Sequence, residues 1–255
     1  MAYIRVEGAV KYFPREDGSE MLVLDGVSFD TKEFGITCLL GPSGCGKSTL
    51  LNAISGLEEL DDGKIRVASN DGRVSGQAPR LGYVFQDPRL LNWKNVEQNL
   101  TFALRGMCVA QAEWPERLEK YLDLIGLTEF RRQFPLYLSG GMRQRVGLAR
   151  GLVIEPEVLL MDEPFSKLDQ LTARRLREET LKICDRLKQT TVLVTHDVEE
   201  AAYMGDRVVI LRSRPARIVG VFENPLPPGR RDVDDAQFIQ FKKSLLQSVL
   251  QNGKG

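Results

Sequence analysis

The sequence predicts an α/β protein with a mostly parallel sheet, and three observations carry this prediction. Short apolar runs, such as residues 36–40 and 158–161, alternate along the chain with longer segments of helical spacing. A glycine-rich turn joins the first of these runs to a helix-forming segment at 49–54. The 255 residues are 42% hydrophobic, which is enough to form a core between a sheet and helices on both of its faces.

The first ninety residues predict an antiparallel region followed by a strand, a loop and a helix. The runs at 3–10 and 21–29 are rich in β-forming residues, and turn residues separate them, so we expect an antiparallel hairpin. The strand at 36–40, the glycine turn and the helix come next. Further strands are predicted at 64–67 and 81–85.

The rest of the chain predicts a helical insert and then more strands. Apolar residues recur at helical spacing over 95–134, and Pro135 closes the segment. A buried type of strand at 158–161 precedes a charged surface helix at 170–188. Two strands at 191–195 and 207–211 flank a short helix at 198–204, and an amphipathic helix follows from Ala236.

Composition excludes several classes of protein. The 35 Lys and Arg residues balance the 35 Asp and Glu residues, so bulk charge gives no reason to expect a nucleic-acid partner. The four cysteines form no CxxC pair and the chain has one His, which disfavours a zinc site or a disulfide framework. The uncharged stretch at 34–46 is too short to span a bilayer. The first ten residues lack an apolar signal core, so we expect a cytoplasmic protein.

A phosphate-binding loop is predicted at residues 41–48, Gly-Pro-Ser-Gly-Cys-Gly-Lys-Ser, which fit the P-loop (Walker A) pattern between a strand and a helix. Backbone N–H groups can curl around phosphate oxygens there, and the helix N-terminus adds partial positive charge. Lys47 supplies a full charge toward the β- and γ-phosphates, and the Ser48 hydroxyl can ligate Mg²⁺. The pattern predicts a P-loop NTPase core of the RecA-like type. The expected binding set is Gly41, Ser43, Gly44, Cys45, Gly46, Lys47, Ser48 and Thr49.

Two carboxylates end the apolar run at 158–161. Such runs deliver acids to the carboxyl edge of a parallel sheet, where ligands bind in open α/β folds. We expect Asp162 to hold Mg²⁺ through water, and Glu163 to orient or deprotonate an attacking water. Alone, an apolar strand that ends in Asp-Glu is more often an ordinary sheet edge. The prediction depends on the loop at 41–48.

The segment 138–146, Leu-Ser-Gly-Gly-Met-Arg-Gln-Arg-Val, is a second anion-binding helix start. Ser139 is a natural N-cap, and Gly140 and Gly141 allow close backbone approach. With this segment the sequence resembles the ATPase subunits of ABC transporters. In that family the signature covers the γ-phosphate of ATP held by the partner subunit. The resemblance implies a homodimer that sandwiches two ATP·Mg²⁺, with Ser139, Gly140, Gly141 and Met142 facing the partner's nucleotide.

The same resemblance, which extends over about residues 3–221, implies roles for further residues. Phe13, or alternatively Tyr12, stands where the family has an aromatic that stacks on adenine. Gln86 matches the Q-loop glutamine, which touches Mg²⁺ and the attacking water. Residues 166–169 match the D-loop. His196 matches the switch histidine that contacts the γ-phosphate, although a lone histidine is usually a structural residue. The implied catalytic set is Glu163, His196, Gln86 and Lys47, and the implied metal set is Ser48, Gln86 and Asp162.

Within the family, residues 85–88, 89–93 and 214–218 are similar to those of the nitrate/sulfonate/bicarbonate/taurine importers. This implies an importer of a small polar or anionic solute that works with a transmembrane permease and, indirectly, with a substrate-binding protein. The chain would then lie on the inner face of the cell membrane through the permease. An exporter ATPase remains an alternative, and a soluble ABC ATPase is a weaker one. A module without turnover is disfavoured because Lys47 and Glu163 are present.

The resemblance also sets the expected organisation, a single ABC ATPase domain over 1–255. Residues 1–90 and 156–225 would form the nucleotide-binding core with its β subdomain, 91–155 the helical insert with the signature, and 226–255 a C-terminal helical tail. Leu90, Leu91 and Trp93 are large apolar residues in a predicted loop. They either pack the insert against the sheet or line a groove that receives a cytoplasmic helix of the permease.

Overall fold

The computed structural model describes residues 2–69, 80–213 and 215–252. It divides the chain into two compact units, the first made of Met1–Gln77 and Cys184–Gly255 and the second of Ala78–Ile183. Arg214, the first residue of the importer-like feature at 214–218, lies outside the described residues, as do parts of the predicted domain 1–255. The predicted subdomain boundaries stay a prediction.

The elements alternate between strands and helices along most of the chain. The strands are β1 Ala2–Pro14, β2 Glu20–Asp30, β3 Ile36–Leu40, β4 Asp62–Ser69, β5 Leu81–Val84, β6 Val158–Asp162, β7 Thr190–Thr195, β8 Arg207–Leu211 and β9 Ile218–Glu223. The α-helices are α1 Lys47–Ser55, α2 Val96–Gly106, α3 Trp114–Leu124, α4 Gly140–Leu152, α5 Gln170–Leu187, α6 Val198–Met204 and α7 Ala236–Asn252. Short 3₁₀ turns lie at Gln111–Glu113, Thr128–Phe130, Pro135–Tyr137 and Pro228–Arg230.

The first unit contains an antiparallel sheet with strand order β2-β1-β4. The predicted hairpin is confirmed, because β1 pairs antiparallel with β2 and places Phe13 opposite Met21. The turn between the two strands is closed where Arg15 N donates to Ser19 O at 2.8 Å. Inward-facing residues such as Ile4 and Leu24 are fully buried, as the alternation of apolar residues along these strands predicts.

Parallel strands form the core of the first unit. β3 pairs parallel with β7 on one side and with β8 on the other, and β8 pairs antiparallel with β9. Every residue of β3 and β7 is buried, because a parallel strand between covering layers is apolar on both faces. Leu40 and Thr195 are register partners, so β3 and β7 end at the same edge. β9 was not predicted from the sequence.

The second unit pairs β5 and β6 in parallel and adds the helices α2, α3 and α4. Glycines allow α4 to pack closely on β5, since a Cβ built on Gly82 would lie 2.4 Å from the Gly151 carbonyl oxygen. The predicted helical segment 95–134 is two helices, because the chain leaves the helix after Gly106 and Cys108 adopts a φ of 52°. Elsewhere, α7 packs on α6 through the buried Phe238 and Leu245.

The predicted α/β fold class, with its parallel strands, antiparallel sheet and helices, is confirmed. Among the described residues, no helix combines the length and the apolar character that crossing a bilayer requires.

Candidate functional site

The predicted phosphate loop connects β3 to α1 in the first unit. Gly44 and Gly46 adopt φ values of 74° and 107°, in the region that L side chains rarely enter. Gly46 is the N-cap of α1, and within the described structure no side chain caps this helix start. The N-terminus of α1 therefore directs its partial positive charge toward the loop, where it can attract an anion.

Lys47 lies beneath the loop that precedes it. Its side chain is buried, and Nζ donates hydrogen bonds to Gly41 O at 2.8 Å and Pro42 O at 2.9 Å. Ser43 and Ser48 are exposed, whereas Cys45 is buried. The loop thus carries a buried positive charge under an accessible backbone.

His196 follows the strand next to the loop. Gly41 N donates to Thr195 O at 3.3 Å, so the first residue of the loop is bonded to the residue before His196. His196 is exposed. The next residue, Asp197, caps α6 by accepting from Glu199 N at 2.8 Å. The first unit therefore brings His196 to the strand edge from which the phosphate loop departs.

The two candidates for an adenine contact lie on β1. Phe13 is half-buried, and the Lys11 ammonium lies 5.3 Å from the centre of its ring. Tyr12 is 39% exposed, and its backbone N–H donates to Asp61 Oδ2 at 2.6 Å. Both aromatics can offer a ring face, so the choice between them stays a prediction.

In the second unit, Gln86 and the acidic pair follow neighbouring strands. β5 and β6 are parallel with Val84 opposite Met161, so the residues beyond them emerge at one edge. Gln86 Nε2 donates to Ser166 Oγ at 3.0 Å, and Ser166 Oγ donates to Glu163 O at 3.0 Å. A D-loop hydroxyl thereby links the Q-loop glutamine to the backbone of Glu163.

Glu163 has a φ of 42°, in the left-handed region that non-glycine residues seldom adopt. Such strain is concentrated at functional sites, where the surrounding structure holds it. Asp162 and Glu163 are both half-buried. Burial raises the pKa of the Tyr83 phenol, and the nearby Asp162 carboxylate raises it further. The phenol beside Asp162 therefore stays neutral at physiological pH.

The signature segment starts α4 in the second unit. Ser139 is the N-cap, and its hydroxyl accepts from Met142 N at 3.2 Å. Ser139 and Gly140 are exposed. A Cβ on Gly141 would lie 2.8 Å from Thr172 Cγ2, so glycine is required where α4 meets α5. An uncharged, accessible helix start with a hydroxyl is suited to a phosphate group.

Three polar side chains donate hydrogen bonds to the backbone of the segment that follows β5. None of them was identified as functional from the sequence. Gln144 and Arg150 of α4 donate to its backbone, and the fully buried Asn99 of α2 does the same farther along. The sequence pattern that could have identified these residues was weak, because it consisted only of polar residues on the inward-facing sides of amphipathic helices. All three act through carbonyl groups whose position the sequence does not reveal.

Comparison with known proteins gives concordant matches. The family model described as "ABC transporter" matches residues 24–166. A taurine import ATP-binding protein of Rhizobium johnstonii is 43% identical over 93% of this chain and 90% of its own length. An aliphatic sulfonates import ATP-binding protein of Bacillus cereus is 36% identical over 98% of this chain and 97% of its own. The dimeric ATP-binding cassette MJ0796, solved in a post-hydrolysis state with ADP and Pi, is 26% identical with a TM-score of 0.71, covering 88% of this chain and 100% of that structure.

Proposed function

The chain belongs to the ABC transporter family of ATP-binding proteins, and on that premise we propose that it energises the import of a small polar or anionic solute through a transmembrane permease. It is an ATP-binding cassette ATPase with a P-loop NTPase fold. The family match and the geometry of the phosphate loop together carry the proposal. The residues below perform its separate steps.

In the first unit, the loop residues 41–49 bind the phosphates of ATP. The positive end of the α1 dipole and the Lys47 ammonium attract the β- and γ-phosphates. Lys47 exchanges its bonds to Gly41 O and Pro42 O for phosphate oxygens, which is favourable because a charged acceptor makes the stronger hydrogen bond. Phe13 or Tyr12 stacks on the adenine, and His196 donates to the γ-phosphate.

The proposed Mg²⁺ ligands are Ser48, Gln86 and Asp162. They offer hydroxyl, amide and carboxylate oxygens, which are the donors that Mg²⁺ prefers, so the residues present fit the ion. When bound, Mg²⁺ would neutralise the negative charge that develops on the phosphates during hydrolysis. Glu163 accepts the proton of the attacking water, and Gln86 orients that water through its amide. The products are ADP and inorganic phosphate.

The proposal includes a site completed by two copies of the chain, and it is supported by the dimeric structure of a cassette to which the chain is similar. In this arrangement Ser139–Met142 of one copy would cover the γ-phosphate held by the other. The proposal is supported by the exposed Ser139 and Gly140 at the start of α4. ATP binding closes the dimer and hydrolysis opens it, which shifts the conformational population of the permease.

The permease contact is proposed at Trp93 and its neighbours. Trp93 is 74% exposed, whereas Leu90 and Leu91 are half-buried and serve packing as well. Val96 N donates to Gln133 O at 2.9 Å, which brings this segment beside the exposed Phe134. Exposed aromatic residues at one place are typical of an interface. Residues 91–155 would then form the helical insert that carries this contact at the inner face of the membrane.

The transported solute is proposed to be taurine-like or sulfonate-like, because proteins named for the import of these compounds are 43% and 36% identical over nearly the whole chain. The test is to purify the tagged chain from its native membrane with its permease and substrate-binding protein, and to measure ATP hydrolysis in proteoliposomes against taurine, alkanesulfonates, nitrate and bicarbonate. We expect one solute of this panel to stimulate ATP hydrolysis and to be taken up into the proteoliposomes. Solute efflux driven by ATP would instead support an exporter.

Trp93→Ala tests the contact in the same preparation. The isolated subunit should remain folded and hydrolytically active, while less permease is recovered with it and transport is uncoupled. Exposed Leu171→Ala in the same unit is the matched control. Unchanged transport by the Trp93 variant, or unfolding of the isolated subunit, would remove this surface from the proposal.

A further inference from the structure

The later turns of the signature helix α4 face the segment that follows β5. Gln144, which is buried, donates from Nε2 to Phe85 O at 3.4 Å. Arg150 donates from Nη2 to Pro88 O and from Nη1 to Arg89 O at 2.9 Å. Between them, a Cβ on Gly147 would lie 3.3 Å from Pro88 Cβ. Because these three positions recur at intervals of three, they share one helix face.

A charged guanidinium is unusual at a half-buried position such as that of Arg150. Burial lowers its pKa, and desolvation is the cause. Arg150 is half-buried, and a charge that is partly removed from water is unfavourable unless strong hydrogen bonds compensate for the lost water. The planar guanidinium has two parallel donors that reach two successive carbonyls, which a lysine ammonium cannot reproduce. Arg150 is therefore suited to fixing the backbone of residues 88 and 89.

The segment that Arg150 holds has a specific conformation. Arg89 adopts a φ of 46°, which a non-glycine residue keeps only under restraint. Asp87 Oδ1 accepts from Arg89 N at 3.1 Å, and the Arg89 guanidinium lies 4.5 Å from the centre of the Phe85 ring. The Phe85 ring in turn stacks on Tyr83 with 4.3 Å between the ring centres.

The second half of the segment is fixed by one buried side chain. Asn99 Nδ2 donates to Leu91 O, Lys94 O and Asn95 O at 3.2, 3.0 and 2.9 Å. Its Oδ1 accepts from Leu91 N at 2.8 Å. The backbone on either side of Trp93 is therefore held by α2, and the backbone just after Gln86 is held by α4.

We propose that Arg150 is a positioning residue that makes residues 86–93 and the signature helix move as one body. A displacement imposed at Trp93 then reaches both Gln86 and the Ser139 end of α4 instead of being absorbed by a flexible loop. Gln144 and the absence of a side chain at Gly147 support the same contact. The inference rests on the proposed role of Gln86 in hydrolysis, whereas the contact of Arg150 with residues 88 and 89 does not depend on that role.

The experiment uses Trp93 as a reporter in the full chain. The sequence has two tryptophans, so Trp114→Phe leaves Trp93 as the sole tryptophan. Arg150→Lys keeps the charge but loses the paired donors, and the exposed Arg174→Lys in the same unit is the matched control. We expect the Arg174→Lys variant to have the same Trp93 anisotropy and the same kcat as the Trp114→Phe protein. In Arg150→Lys, the fluorescence anisotropy of Trp93 should fall without nucleotide, and kcat should fall about tenfold because Gln86 is misplaced, with the KM for ATP within about twofold.

Gly147→Ala provides a second variant that removes no hydrogen bond and creates no cavity. Its new methyl group presses on Pro88, so it should change Trp93 anisotropy and lower kcat in the same direction. If Arg150→Lys does not fold, the Gly147→Ala variant alone tests the proposal. Unchanged anisotropy in the folded variants, or changed anisotropy with an unchanged kcat, would overturn the proposal. If the Trp114→Phe protein does not hydrolyse ATP, the proposed function is contradicted. The fluorescence anisotropy of Trp93 would still test whether Arg150 holds residues 88 and 89 in place.

Discussion

The phosphate loop at residues 41–48 and the Q-loop segment at residues 85–93 are held in place by opposite means. The phosphate loop is fixed mainly by its own residues, since Gly44 and Gly46 supply the positive φ values and Lys47 bonds to carbonyls five and six positions earlier. One distant contact, from Gly41 N to Thr195 O, anchors its first residue. The Q-loop segment is fixed by Gln144 and Arg150, which lie 59 to 62 positions farther along the chain. A self-contained loop forms a binding site, whereas a loop clamped from outside can transmit movement.

This difference predicts separable effects of substitution. Changes in the phosphate loop should act first on nucleotide affinity, because the loop is complete within one short segment. Changes around the Q-loop should act on turnover and coupling, because they alter where Gln86 stands without touching the phosphate cradle.

Lys47→Ala should have the largest effect. It removes the full positive charge under the loop while leaving the glycines, so ATP binding and hydrolysis should both collapse with the fold intact. Calorimetric titration with ATP measures the first effect, and phosphate release measures the second. The exposed Lys32→Ala in the same unit is the control. Wild-type-like ATP affinity in the Lys47 variant would contradict the assignment of the loop.

Gly46→Ala should have an intermediate effect on stability and also weaken ATP binding. Gly46 has a φ of 107°, and a Cβ there would lie 3.0 Å from Val23 Cγ1, so we expect a loss of about 1–3 kcal/mol in the free energy of unfolding. Gly106→Ala, where a Cβ meets nothing within 4 Å, is the matched control. Equal urea midpoints for the two variants would show that the loop does not depend on its own backbone conformation.

The sequence predicted the local features well. β3, α6 and β8 have the predicted bounds, because their apolar runs and flanking glycine or capping residues lie within a few positions. It did not predict β9, whose short run is interrupted by Gly220 and is only partly buried. Nor could it identify Asn99 or Arg150, because a polar side chain that bonds to a distant backbone carbonyl is informative only when the position of that carbonyl is known.

Lys167→Ala should have the smallest effect. The Lys167 ammonium lies 3.5 Å from Asp87 Oδ2 in an exposed ion pair that joins the D-loop to the Q-loop, so the free energy of unfolding should change by less than about 1 kcal/mol. The pKa of Asp87 is lowered mainly by the Arg89 backbone N–H and then by Lys167. In the variant this pKa should rise yet stay below its ordinary value, which an NMR titration of Asp87 can measure.

The sign of this pKa shift sets the pH dependence. A lowered pKa in the folded state means that the contribution of Asp87 to stability is present at neutral pH and lost as the pH falls through that pKa. The Lys167 variant should therefore differ most from the parent near neutral pH and least in acid. A larger difference in acid would contradict the ion pair.

Glu163→Gln tests the central claim most directly, because it separates ATP binding from turnover in a site that we propose is completed by two copies of the chain. The substitution keeps size and hydrogen bonding but removes the base, so turnover should fall by about 10²–10⁴-fold. In size-exclusion chromatography with light scattering, ATP and Mg²⁺ should convert the variant to a species of twice the monomer mass, and adding Lys47→Ala should abolish that species. A variant that remains monomeric with saturating ATP and Mg²⁺, or that still turns over at the parent rate, would contradict the account.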